Sequence, residues 1–169
     1  MTPCALPGGA EGDGLERSAR FSPCRTYRYG LWRRWGPGHT LMVVGLNPST
    51  ADETQDDPTI RRCIGFARAW GFGALRMANL FAYRAVTPER LRQAADPIGP
   101  ENDRSLQELA DGAGLVLAAW GSHGTFLGRN RAVRQLLPEL HFLRLTRTGE
   151  PAHPLYLPAD LTPQPWSPP

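Results

Sequence analysis

The sequence contains no lysine, and all nineteen of its basic residues are arginine. GC-rich codon usage replaces lysine with arginine, and that is the simpler explanation of the bias. An arginine guanidinium nevertheless binds phosphates well and stacks on base planes. Because the formal net charge is only +3, the composition permits nucleic-acid binding without arguing strongly for it.

Cysteine is scarce as well. The three cysteines, Cys4, Cys24 and Cys63, are an odd number and include no C-x-x-C pair. This spacing argues against a disulfide framework, a zinc ribbon and a four-cysteine iron–sulfur cluster. We interpret them as reduced thiols and place Cys63 on the buried face of a helix.

Long apolar runs and several catalytic motifs are also missing. No segment approaches the roughly 18 apolar residues of a membrane span, and the N-terminus lacks the apolar region of a signal peptide. There is no Walker Gly-Lys motif, no G-x-S-x-G elbow and no H-E-x-x-H motif. We expect a cytoplasmic, bacterial-type monomer with no membrane partner, no cofactor and no resident metal.

The segment around which the rest of the chain is organised is Leu41–Thr50. Five mainly β-forming residues run into a turn that contains Gly45, Asn47, Pro48 and Ser49. An apolar run without polar alternation predicts a strand buried on both faces, as in the centre of an α/β sheet. Open α/β sheets bind ligands at the carboxyl ends of their strands, which makes Asn47 the first candidate for chemistry.

Strand-like and helix-like patterns alternate after this segment. Apolar runs predict further strands at 74–81, 114–120 and 140–145, and helical patterns start near residues 58, 88, 101 and 129. The aromatic segment 27–35 is expected to form a hairpin with the 41–45 strand. The predicted fold is a three-layer α/β/α domain, with a central, mostly parallel four-stranded sheet plus an N-terminal antiparallel strand.

The domain is expected to span residues 23–158. A flexible tail is predicted at 1–22, where Gly, Pro and Ala show little periodicity, and a Pro-rich surface tail at 159–169.

Right-handed crossovers would bring the strand-to-helix turns together on one edge of the parallel sheet. That edge is expected to gather Asn47, Ser49, Asn79, Ser122, His123 and His153. Simpler interpretations remain open. Asn47 and His123 would serve as turn residues, His153 as a surface-loop histidine, and Asn79 as a support for the loop of Asn47.

A rival site is the acidic run Asp52, Glu53, Asp56 and Asp57. Several carboxylates near a strand end could hold Mg²⁺ and a nucleotide phosphate. A solvated loop followed by a helix start, with Asp57 as the cap and Pro58 in the first turn, explains the same residues. We favour the second interpretation.

Five segments carry a resemblance to a known family: Gly45–Asp52, Asp57–Arg62, Asn79–Arg84, Glu101–Asp103 and His153–Tyr156. They resemble the signature of an uncharacterised bacterial family, the domain of unknown function numbered 1643. The resemblance runs from about Tyr27 to Leu157 and implies no activity.

A more distant resemblance is to the uracil-DNA glycosylase superfamily, and it implies a fold like that of those enzymes. Gly45–Leu46–Asn47–Pro48–Ser49 is similar to the superfamily's Gly-x-Asn-Pro-Gly-like turn, and His153–Pro154–Leu155 is similar to its later His-Pro-Ser-like loop. Ala78–Asn79–Leu80–Phe81, followed by Arg84, resembles its Asn-containing strand end. A serine, Ser49, replaces the last glycine of the first motif, and a leucine replaces the serine after His-Pro.

The second resemblance implies a DNA base-excision glycosylase that hydrolyses the N-glycosidic bond of a flipped, damaged or mismatched base such as uracil. Asn47 would orient the attacking water, His153 would stabilise the leaving base, and Asn79 would read the base edge. The other residues expected in the substrate site are Gly45, Leu46, Pro48, Ser49, Phe81, Tyr83, Arg84 and Pro154, together with Ser122 and His123 from the predicted sheet edge. Phe81 or Tyr83 would stack on the base.

Arg61 and Arg62 are expected to bind phosphates of the DNA, which is single-stranded or lesion-containing. The open alternative is a non-catalytic module that binds a nucleotide, a modified base or single-stranded nucleic acid in the same pocket.

Overall fold

The computed structural model describes residues 14–137 and 139–167, and within these ranges three successive strands precede a series of helices and further strands. The strands are β1 (Glu16–Phe21), β2 (Arg28–Arg34), β3 (Thr40–Gly45), β4 (Ala74–Asn79), β5 (Leu115–Ala118), β6 (Leu140–Phe142) and β7 (Gln164–Pro165). The α-helices are α1 (Pro58–Ala69), α2 (Pro88–Gln93), α3 (Asn102–Ala110) and α4 (Arg129–Leu136). Two 3₁₀ segments span Ser122–Gly128 and Pro154–Tyr156.

All seven strands form one mixed sheet in the order β1-β2-β4-β3-β5-β6-β7. Strands β4, β3, β5 and β6 run parallel to one another, whereas β1 and β2 on one side and β7 on the other pair antiparallel. Strand β3 lies in the middle, with Val43 opposite Met77 on one side and Leu117 on the other. The mixed α/β class is confirmed, and the sheet is larger than the sequence predicted.

The predicted hairpin between the aromatic segment and β3 is wrong. Strand β2 pairs instead with β4, placing Leu31 opposite Met77, and with β1 on its other side. The physical reason is burial, because all six residues of β3 are buried. A strand of this kind takes a central position between parallel neighbours, so β2 is displaced toward the edge.

Parts of both predicted tails belong to the sheet. Glu16–Phe21, which we assigned to a flexible tail, forms β1, and Gln164–Pro165 in the C-terminal tail forms β7. Residues 1–13 and 168–169 of these tails lie outside the described residues.

Helices cover both faces of the sheet and bury two apolar clusters. The face toward α1, called here the α1 face, packs Ile60, Cys63 and Phe66 against Val43 and Leu75. On the opposite face, residues of α2, α3 and α4 pack against alternate residues of the same strands. Successive side chains of β3 therefore point to different layers. Among the described residues, no helix has the length and apolarity that crossing a bilayer requires.

Helix α1 begins as the sequence predicted. The Asp57 side chain accepts a hydrogen bond from the Ile60 N–H at 2.8 Å, and Pro58 occupies the first turn. Cys63 is buried on the inner face of this helix, and burial raises the pKa of its thiol to about 12. The cap fixes where α1 starts, and hence where the loop after β3 ends.

Candidate functional site

The loops after β3 and β4 run side by side at the carboxyl edge of the sheet. Backbone hydrogen bonds continue beyond the strands, from Leu80 N–H to Gly45 O at 2.9 Å and from Phe81 N–H to Leu46 O at 3.0 Å. The Ala85 N–H then donates to Pro48 O at 3.0 Å. The Asn47 turn is therefore held by its neighbouring loop.

Asn47 has its side-chain amide fixed by this arrangement. Its Nδ2 donates to Pro48 O at 2.9 Å and to Ala85 O at 2.8 Å. Both partners are carbonyl oxygens, so the nitrogen must face them and the orientation of the amide is decided. Its Oδ1 has no partner among the described residues and is not sealed from solvent. The side chain of Asn47 therefore stabilises the loop through Nδ2 and presents Oδ1 as an acceptor in a fixed orientation.

Asn79 is the last residue of β4 and lies opposite Gly45. It is 97% buried, yet neither atom of its side-chain amide has a hydrogen-bond partner among the described residues, and Nδ2 is also sealed from solvent. A Cβ at position 45 would lie 2.9 Å from Asn79 Oδ1, so glycine is what admits this amide. Buried amides without partners are uncommon in proteins, and this one is a candidate ligand contact.

Two residues hold the backbone at the end of β4, and sequence reasoning gave neither a role. Asn102, the first residue of α3, donates from Nδ2 to Asn79 O at 3.0 Å and to Leu80 O at 2.9 Å. Arg129, the first residue of α4, donates from Nε to Leu80 O at 3.0 Å and pairs with Asp103 at 2.8 Å. The only sequence signal was the Glu101–Asp103 segment of the family resemblance.

His153 precedes the second 3₁₀ segment, and its protonation is set by its neighbours. Its Nδ1 accepts a hydrogen bond from the Leu155 N–H at 3.2 Å, so the proton of the neutral ring lies on Nε2. Burial lowers the pKa of His153, and the charge of Asp57 opposes that shift. Arg62 donates to the carbonyl of Leu157 and anchors the same loop to α1. His153 is therefore a neutral N–H donor at pH 7.

The acidic run has a protein partner for every carboxylate. Glu53 pairs with Arg25 at 3.1 Å, and Asp56 pairs with Arg33 at 2.7 Å. Asp52 accepts from the backbone N–H groups of the two turn residues after Glu53, and Asp57 caps α1. In the described part of the chain, no cluster of three or more His, Cys, Asp or Glu residues could hold a metal ion.

A family model for a protein of unknown function, DUF1643, matches residues 28–155. The chain belongs to this family. The match extends from β2 to the loop of His153 and includes every residue described above as part of the carboxyl edge, so the resemblance to this family is confirmed. No curated protein and no solved structure matches the chain. The resemblance to uracil-DNA glycosylases stays a prediction.

Several other sequence candidates of this DUF1643 chain are held by contacts of their own. Phe81 is fully buried and packs against Phe126 with ring centroids 5.4 Å apart, so it offers no open face for stacking. Ser122 and His123 are exposed, and His123 contacts Arg92 of α2 at 3.3 Å. They lie toward the face opposite α1. The exposed Arg61 donates to Asp56 O.

A shallow cleft of about 350 Å³ lies beside the Asn47 loop. Its lining comprises Ser49, Thr50, Tyr83, Arg84, Ala85, Val86 and Arg90. Three predicted substrate-site residues, Ser49, Tyr83 and Arg84, therefore share one surface. Arg84 lies 4.9 Å from the ring of Phe21 and donates to Arg25 O at 3.2 Å. The cleft combines guanidinium groups with an aromatic ring, as single-strand binding surfaces do.

Proposed function

We propose that this chain is a DNA glycosylase that hydrolyses the N-glycosidic bond of a base flipped into the carboxyl edge of the sheet. One observation carries the proposal: three polar side chains at this edge keep hydrogen-bonding groups that no other described residue uses. They are Oδ1 of Asn47, the amide of Asn79 and Nε2 of His153. The similarity of the Asn47 and His153 motifs to those of uracil-DNA glycosylases supports the same assignment.

Asn47 orients the nucleophile. When the bond between C1′ and the base nitrogen breaks, the electron pair leaves with the base and the sugar becomes oxocarbenium-like. Oδ1 of Asn47 accepts a hydrogen bond from a water molecule, whose oxygen attacks C1′ and whose proton passes to solvent. Such positioning does not require an ionised side chain.

His153 and Asn79 act on the base. The neutral imidazole donates from Nε2 to a base oxygen, where negative charge develops as the bond breaks, and so stabilises the leaving group. The amide of Asn79 offers one donor and one acceptor, which matches the edge of a pyrimidine. Cleft residues Tyr83 and Arg84 receive the flanking strand.

Substitution of Asn47 tests the proposal. Asn47→Ala removes the acceptor for water, and we expect strand cleavage after alkali to fall by about 10²-fold on an oligonucleotide carrying a substrate lesion. The dissociation constant for the same oligonucleotide should stay nearly constant. Gln135→Ala, an exposed change in α4, is the matched control and should retain full cleavage. Equal cleavage by Asn47→Ala and wild type would exclude Asn47 from the reaction.

A second candidate function is binding without catalysis, because the two hydrogen bonds of Asn47 to backbone carbonyls already account for that residue structurally. Single-stranded oligonucleotides that shift in a gel, while no lesion in a broad panel is cleaved, would establish this alternative.

A further inference from the structure

Arg28, at the start of β2, is a buried arginine whose donors are mostly unused. Its side chain is 97% buried, and only Nη1 donates a hydrogen bond, to Ala51 O at 2.9 Å, within the described residues. Nε is sealed from solvent without a partner, and Nη2 has no partner but keeps some solvent access. Among the described residues, no carboxylate lies within ion-pair distance of it.

Arg33, on the same strand, shows what a structural buried arginine looks like in this fold. It is fully buried, and all five of its side-chain N–H groups are used. Four go to backbone carbonyls, and Nε pairs with Asp56 at 2.7 Å. Because an unpaired buried charge is costly, the contrast between Arg28 and Arg33 indicates that Arg28 has a partner other than the described residues.

The position of Arg28 puts that partner at the candidate site. Strand β2 is antiparallel to β4, so it starts where β4 ends, and the Arg28 N–H donates to Ala82 O at 3.0 Å. Ala51, which Arg28 contacts, belongs to the apolar cluster of the α1 face, and Met77 belongs to the same cluster. Met77 and Asn79 both lie next to Gly45. Arg28 and Asn79 therefore share the α1 face at the carboxyl edge.

The charges around Arg28 leave it cationic. Burial is the main effect on the Arg28 guanidinium and lowers its pKa to about 10. The positive charges of Arg33 and Arg84 lower the pKa further, whereas the negative charges of Asp57 and Asp52 oppose the shift. The group remains protonated at pH 7. Nη2 and Nε lie on the same edge of the guanidinium, the edge that binds phosphate and carboxylate oxygens in a fork.

We propose that Arg28 binds a phosphate of the nucleic-acid strand through Nη2, on the α1 face beside Asn79. This assignment rests on the proposed function for the identity of the ligand, and it adds the residue that anchors the strand next to the flipped base. The chemical class of the ligand is a phosphodiester or another phosphate.

The test compares Arg28→Met with Arg33→Met. Removing the charge of Arg28 should shift Tm by no more than about 4 °C. The fold loses one hydrogen bond, which destabilises it, but it also loses a buried, unpaired cation, which stabilises it. Arg33→Met should lower Tm by about 10 °C or more, since it leaves Asp56 and four carbonyls without their donors. A comparable loss in Arg28→Met would assign Arg28 to the structure and overturn the proposal.

Binding is measured on the same variants with a single-stranded oligonucleotide over a series of salt concentrations. Arg28→Met should bind about 10-fold or more weakly, and the slope of log K against log salt should fall by about 0.7 for one lost phosphate contact. Arg28→Lys should recover part of the slope. Wild-type affinity and slope in Arg28→Met would overturn the proposal and leave the glycosylase function standing.

Pyrophosphate separates this inference from the glycosylase proposal. At constant ionic strength and a concentration ten times its Kd, it should raise the Tm of the wild type by about 3 °C and leave Arg28→Met unchanged. That result supports a phosphate site even if no oligonucleotide is cleaved. An equal rise in both proteins would contradict the assignment.

Discussion

The imidazole of His153 owes its state to two neighbours. The Leu155 N–H holds Nδ1 as an acceptor, and partial burial lowers the pKa of the ring below its ordinary value. Protonation would convert Nδ1 into a donor and break the hydrogen bond that starts the 3₁₀ segment. The same two features that stabilise the loop therefore also keep Nε2 available as a neutral donor.

Stability at acid pH tests this state of His153. The unfolded chain takes up the proton near pH 6.5, before the folded chain does, so the free energy of unfolding should fall as pH drops below that value. Above about pH 7 both states are neutral and stability should be level. His153→Asn keeps an acceptor for Leu155 N–H but cannot titrate in this range.

The measurement is Tm from pH 8 to pH 5 for both proteins. We expect the wild-type Tm to fall more steeply than that of His153→Asn below pH 6.5, because the other titrating groups are common to both. Parallel curves would show that folding leaves the pKa of His153 where it is in the unfolded chain.

At the scale of elements, the missing side chain of Gly45 leaves room between β3 and β4 for the side-chain amide of Asn79. Gly45 and Asn79 lie opposite each other at the ends of these strands. Asn102 and Arg129, at the starts of α3 and α4, hold the backbone just beyond. The position of Asn79 is thus decided by two strands and two helix N-termini together.

Two glycine-to-alanine substitutions test this packing. In Gly45→Ala the new Cβ would lie 2.9 Å from Asn79 Oδ1 and 3.0 Å from Met77 Cε, so we expect a loss of about 1–3 kcal/mol in the free energy of unfolding. Gly65→Ala, on the exposed side of α1 with nothing within 4 Å, should instead gain about 0.5–1 kcal/mol. Urea unfolding measures both, and a neutral Gly45→Ala would show that the Asn79 side chain is free to move.

At the scale of the whole molecule, Glu150 joins three parts of the chain that are distant in sequence. Its buried carboxylate accepts from Trp120 Nε1 and from Asn130 Nδ2, both at 2.7 Å. The loop after β6, which carries His153, is thereby tied to the end of β5 and to α4. A second link is the hydrogen bond from Gly121 N–H to Pro151 O at 2.7 Å.

Glu150→Ala should lower the free energy of unfolding by about 2–3 kcal/mol, because the buried indole N–H of Trp120 loses its only partner among the described residues. Glu89→Ala, an exposed change in α2, should stay within about 0.5 kcal/mol. Urea unfolding measures the free energy of unfolding of both variants. Equal values for Glu150→Ala and Glu89→Ala would mean that other contacts hold the loop.

Local patterns predicted the parts of the fold that local physics controls. The unbroken apolar run of β3 indicated a central strand, and Asp57 followed by Pro58 indicated the start of α1. Strand pairing could not be predicted from local patterns where it depends on burial across the whole sheet. For this reason β2 was paired with β3 in the prediction, whereas it pairs with β4 in the structure. Strand β1 was missed because none of its residues is fully buried and four of its six residues are polar, so no apolar pattern marks it.

The candidate site divides in the same way. Position at a strand end and a family-like motif were enough to select Asn47, Asn79 and His153 from the sequence. Arg28 and Asn102 were not selected, because their significance lies in which hydrogen bonds the rest of the fold makes or leaves unmade. Phe81 was selected as a stacking residue, yet the packing of α3 and the 3₁₀ segment after β5 covers it completely.

Cleavage of an N-glycosidic bond is the activity proposed for this chain. The most direct measurement is mass spectrometry of oligonucleotides, each carrying uracil or another altered base, after incubation with excess wild-type protein. We expect at least one substrate to yield its free base together with an equal amount of abasic strand, at a rate about 10²-fold lower for Asn47→Ala. Strands that the protein binds but returns intact, with no free base from any substrate, would contradict it.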